Sequence, residues 1–145
     1  MKALLCAALV LAAPALHAQI EIDRAWVRAT APGASVAGGY MTIRNKSGAP
    51  DRLLGASSPA AARVEMHVHL REGEVVKMRP AAAFDVPAKG EFELKPGGAH
   101  LMFMQVRHPF NEGDKVPVRL RFEKAGEVSV EFAVGRLGAR EPPAR

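Results

Sequence analysis

The chain has 145 residues, 24% of them charged and only 6% aromatic, with 20 Lys and Arg against 15 Asp and Glu for a formal net charge of +5. The basic residues are spread over many segments with acidic residues between them. This excludes the clustered, aromatic-laced surface that binds nucleic acid and leaves an ordinary solvated surface, or a basic face toward an acidic partner at a membrane.

In chain order, the first segment is MKALLCAALVLAAPALHAQ: one positive residue, Lys2, an apolar run from Ala3 to Ala13, and a small residue at Ala18. This layout predicts a secretory signal peptide over residues 1–18, cleaved after Ala18 with Ala15 as the competing site. The run is short for a bilayer and no second hydrophobic segment follows, so no membrane span is expected. Export to the periplasm is the predicted destination. Removal of the signal takes away Lys2 and the only cysteine, Cys6, leaving 127 residues with a formal charge of +4 and no thiol. That length suffices for one domain with its own core.

Strands then follow one another. RAWVRAT, VAGGYMTIRN and DRLLGAS are separated by Ala31-Pro32-Gly33 and Lys46-Ser47-Gly48. ARVEMHVHL and EVVKM are joined through Arg71-Glu72-Gly73, and EFELK leads through Pro96-Gly97-Gly98 into AHLMFMQV. VPVRLRF and EVSVEFAV alternate apolar and polar residues on either side of Lys124-Ala125-Gly126. Short strands punctuated by Gly and Pro turns predict an all-β antiparallel sandwich or barrel, one domain over residues 19–135. The tail, residues 136–145, has little to bury and is expected to be disordered. After residue 18 no stretch sustains a helical apolar period for three turns, and there is no internal repeat.

The chemistry is concentrated in two strands. Val64, Met66, Val68 and Leu70 alternate with Glu65, His67, His69 and Arg71, so His67 and His69 face away from the core. In AHLMFMQV, alternation places His100, Met102 and Met104 on one face and Leu101 and Phe103 on the other. Imidazoles and thioethers without a thiolate or a carboxylate cluster favour soft, monovalent copper over the hard divalent cations. Zinc would usually recruit thiolate, a third histidine or a carboxylate. Met41 and Met66 lie on apolar faces and read as core filler. Met104 shares a face with Met102 and is an auxiliary candidate, and His108 before Pro109 reads as a solvated loop residue.

His67, ten residues, Met78, twenty-one residues, then His100-Leu101-Met102 matches the signature of a known family. The sequence resembles the periplasmic copper(I) chaperones of the PCuAC type. The segment AWVRATAPGASVAGGYMTIRN from Ala25 to Asn45 and the tetrapeptide KMRP are also similar to that family, so that the resemblance covers all but the tail. It implies a cupredoxin-like antiparallel β-sandwich with Greek-key connections and a site for one copper(I) formed by His67, Met78, His100 and Met102. It implies a carrier, monomeric and not an enzyme, that delivers its ion to an acceptor such as a cytochrome c oxidase subunit, with Sco-type thiol proteins as co-workers. A copper-buffering sandwich without a dedicated acceptor is the alternative. Two departures stand out. Relatives often read His-x-Met where this chain has His67-Val68-His69, which makes His69 an alternate or divalent-copper ligand, and the tail lacks the His and Met residues that some relatives carry there. An electron-transferring cupredoxin needs a cysteine on the copper, and the chain without its signal has none.

Overall fold

The computed structural model describes residues 19–144; the signal peptide and Cys6 lie outside them. Ten strands run in the order β1 (Ile20–Arg28), β2 (Val36–Asn45), β3 (Asp51–Ser57), β4 (Ala61–Glu72), β5 (Val75–Pro80), β6 (Phe84–Val86), β7 (Glu91–Leu94), β8 (His100–Val106), β9 (Lys115–Phe122) and β10 (Gly126–Gly135). The fold is the expected all-β single domain. The main path of pairing is β5-β4-β8-β2-β1-β10-β9-β3-β6, and β3 also meets β4 through Ala56 and Val64. That contact closes seven strands, β4 round to β3, into a barrel.

Two features go beyond the antiparallel expectation. β1 and β10 pair in parallel, Trp26 opposite Ala133 and Arg28 opposite Gly135, so the closed sheet is mixed. Alternation and turn residues announce strands and the hairpins between consecutive ones; they carry no information on how the first and last strands meet. β1 also begins at Ile20, ahead of the predicted start. Its register against β2 shifts between Asp23 and Trp26, where Arg24 takes a left-handed φ of 48°. The extra residue of this bulge swaps the faces of the strand. Ile20 therefore points inward before the bulge and Val27 after it, and a single period cannot describe the segment.

The barrel interior is filled by the alternate residues of each strand. Val27, Ile43, Leu53, Leu101, Phe103, Leu120 and Phe132 are fully buried. Each contributes roughly 1.5–3 kcal/mol relative to exposure. Asp51 is the buried polar tie at one end: its carboxylate accepts from the backbone N–H groups of Arg52, Lys124 and Ala125 and so fixes the β9–β10 turn to β3.

Outside the closed barrel, β5 pairs with β4 alone. The ladder runs from His67 opposite Pro80 to Glu72 opposite Val75, which leaves Gly73-Glu74 as a two-residue turn with Gly73 at φ 64°. β5 is an edge strand, exposed throughout, and Lys77, Arg79 and Pro80 protect it from further pairing. Beyond β10 the tail has no strand. It runs beside β1, where Arg28 Nε donates to the Ala139 carbonyl at 2.6 Å.

A histidine and methionine centre on the outer face

Three adjacent strands, β5, β4 and β8, build the candidate site on the outside of the barrel. Met66 and Leu101 turn inward, 7% and 0% exposed, so their neighbours His67 and His100 must turn outward. The β4–β8 register sets His67 directly opposite His100, Glu65 opposite Met102 and Arg63 opposite Met104. Across the other edge of β4, His69 stands opposite Met78.

His100 is the hub. Its ring centroid lies 5.6 Å from that of His67 and 5.2 Å from that of His69, both edge-on. Two imidazoles on one ion at nitrogen–metal bonds of about 2.0 Å have centroids up to about 6 Å apart, so either pair can share a metal. The Met78 side chain reaches across β4, and its Sδ lies 3.2 Å from His100 Nε2. Bonds of about 2.0 Å to nitrogen and about 2.3 Å to sulfur sum to more than that separation, so one ion can touch both atoms.

The electrostatics keep the ring available. His100 is 5% exposed, and its Nδ1 donates to the Gly98 carbonyl at 3.0 Å, which leaves Nε2 bare toward the sulfur. Burial, the largest effect, pushes its pKa down; the Gly98 hydrogen bond opposes it, and the neighbouring His69, His67 and Arg28 add smaller downward pushes. The neutral imidazole that a metal requires thus persists below the ordinary histidine range.

His67 differs from its partner. Its Nε2 meets Glu65 Oε2 at 2.8 Å, and its Nδ1 is buried with no hydrogen-bond partner. Glu65 is also bound by Arg63 Nε at 2.7 Å. Arg63 first and His67 second hold the Glu65 carboxyl below the usual carboxylate range. A buried ring nitrogen without a partner is uncommon in a folded protein and fits a donor set that a metal completes.

His69, Met78, His100 and Met102 line a shared surface cleft of about 470 Å³, facing Tyr40. Gly38 stands opposite Met102 on β2, and a Cβ there would meet the Tyr40 hydroxyl at 2.7 Å, so only glycine lets the phenol lie over this strand. The four residues expected from the resemblance are therefore gathered on one patch, with His67 beside His100 in the ladder but off the cleft wall. Met104 pairs with Arg63 and Val36 and does not line the cleft, His108 packs on Phe110, and Met41 and Met66 are core. Among the described residues no three His, Cys, Asp or Glu side chains form a metal cluster, whereas the thioether of Met78 lies within ligand reach of His100. Glu65, Gly38 and Tyr40 were not among the site residues expected from the sequence; of these only Glu65, two residues before His67 on the same face, had a signal there.

The chain is similar to known proteins over most of its described length. Residues 20–134 match the model of the family described as "Putative lipoprotein LpqE-like". A Leifsonia xyli protein described as "Putative lipoprotein Lxx21020" is 32% identical over 116 residues, 79% of this chain and 69% of its own length. Among solved structures, the copper-bound PCuAC domain from PmoF2 is 30% identical with a TM-score of 0.69, covering 81% of this chain and 93% of that one. The copper(I) form of DR1885 from Deinococcus radiodurans is 28% identical with a TM-score of 0.64, covering 79% and 76%.

Proposed function

This chain belongs to the PCuAC/LpqE-like family, and on that premise we propose that it is a copper(I) carrier rather than a catalyst, with His67, Met78, His100 and Met102 as the ligands of one ion. The observation that carries the reading is the approach of Met78 Sδ to His100 Nε2 at 3.2 Å, a thioether and a bare imidazole nitrogen meeting at the surface. That pairing suits monovalent copper, since thioether sulfur binds hard cations poorly. The relatives named as copper-bound and copper(I) structures support the same choice of metal.

The cargo is held where it can be given away. Met78 is 47% exposed on an edge strand while His100 is buried, so an incoming ligand reaches the ion from the Met78 side. Exchange then proceeds one ligand at a time, with the buried imidazole the last to release and no free ion in between. His69, opposite Met78 and lining the cleft, is a further imidazole that serves oxidised copper better than reduced.

The protein works, in this reading, as an exported monomer of the periplasm, with residues 1–18 as the export signal; the lipoprotein descriptions of its relatives agree with a place in the cell envelope. Its acceptors are copper centres under assembly in cytochrome c oxidase, with Sco-type thiol proteins as co-workers. Incubating the copper(I)-loaded protein with the apo copper-binding domain of an oxidase subunit tests this. Transfer that continues when a chelator scavenges all free copper supports the carrier role, and transfer abolished by the chelator refutes it.

A further inference from the structure

We infer that Glu65 is a positioning residue of the copper site: its carboxylate keeps the ring proton of His67 on Nε2 and makes Nδ1 the copper-binding atom of that histidine. The inference rests on the ligand set proposed above. A carboxylate only accepts, so the 2.8 Å contact between Glu65 Oε2 and His67 Nε2 requires the proton on Nε2. In the neutral ring that a metal requires, the other nitrogen, Nδ1, is then a bare lone pair, sealed from water and without a partner. His100, directly opposite in the β4–β8 ladder, has the reverse arrangement, with Nδ1 held by the Gly98 carbonyl and Nε2 free toward Met78.

Each histidine thus has one nitrogen fixed by an oxygen and one left open. This is the pattern by which metal-bound histidines are oriented by an outer partner. Glu65 itself is not the ligand. Its two oxygens are taken separately, Oε1 by Arg63 and Oε2 by His67, and a hard carboxylate is a poor match for monovalent copper. The chain Arg63–Glu65–His67 runs along consecutive outward positions of one strand, so the backbone of β4 sets its geometry.

Long-range proton–nitrogen NMR of the metal-free, nitrogen-15-labelled protein reads the tautomer without copper. The wild type is expected to show His67 with its proton on Nε2, and Glu65→Ala to show a mixture of both forms. Copper(I) affinity, by competition with a chromogenic chelator, should fall about 10- to 100-fold in Glu65→Ala and less in Glu65→Gln, which keeps an acceptor. In a His67→Ala background Glu65→Ala should add no further loss. A proton on Nδ1 in the wild type, unchanged affinity in Glu65→Ala, or an equal loss with and without His67 each overturns the inference. Failure of the wild type to bind copper(I) would instead refute the ligand assignment, and the tautomer spectrum distinguishes the two.

Discussion

Replacing Met78 by Leu separates a ligand from a packing residue. Leu approximates the shape of Met and removes only the sulfur. Met78 is 47% exposed on a strand whose six residues are all exposed, so the substitution should change stability by less than about 0.5 kcal/mol. Loss of the atom 3.2 Å from His100 Nε2 removes a direct ligand. Removing an outer partner already costs about 10- to 100-fold in metal affinity, so a loss of at least that size is expected, about 1.4–2.8 kcal/mol or more. Met66→Ala supplies the opposite control: Met66 is 7% exposed in the core, so the change should cost about 2–5 kcal/mol of stability and leave the copper affinity of the folded protein intact. Urea unfolding and chelator competition on both variants give the two numbers. Equal copper retention in wild type and Met78→Leu would show that the thioether is not a ligand.

His67→Ala should lose most copper(I) binding, whereas His69→Ala should leave copper(I) within a few-fold and chiefly reduce copper(II) uptake; titration of both variants with both ions checks this, and equal losses of copper(I) would contradict it. Asp51→Ala should destabilise the fold by about 3 kcal/mol, because the buried N–H of Ala125 and the part-buried N–H of Lys124 lose their acceptor, with copper affinity unchanged in the folded protein. For the metal-free protein, His100 has a folded pKa below its ordinary 6.5 because burial disfavours the charged ring. As pH falls below 6.5 the unfolded chain takes up this proton and the folded one does not, so stability is lost between 6.5 and the lowered value and is level above that window. Urea midpoints measured across that range should show a shallower slope in His100→Gln.

Much of the centre was legible because a strand has a period of two. Once Met66 and Leu101 were taken as inward, His67, His69, His100 and Met102 had to face out, and the structure places them so. What alternation cannot supply is lateral register. That His67 faces His100, and that Met78 reaches over β4 to the same ring, depends on pairings between strands up to thirty-odd residues apart. β6 escaped notice because three residues, Phe84 to Val86, are too few to show a pattern, and the Arg24 bulge hid the true start of β1 because it inverts the faces midway. Barrel closure through Ala56 and Val64 leaves no local mark at either residue. Glu65 looked like an ordinary polar residue on the outer face of β4; only the 2.8 Å contact with His67 gives it a role.

X-ray absorption at the copper edge of the copper(I)-loaded protein tests the central claim most directly, because it reports ligand elements around the ion itself. One copper with both nitrogen and sulfur scatterers, losing sulfur amplitude in Met78→Leu and in Met102→Leu, is the predicted spectrum. A first shell of nitrogen and oxygen alone would show that the methionines gathered beside His100 do not hold the metal.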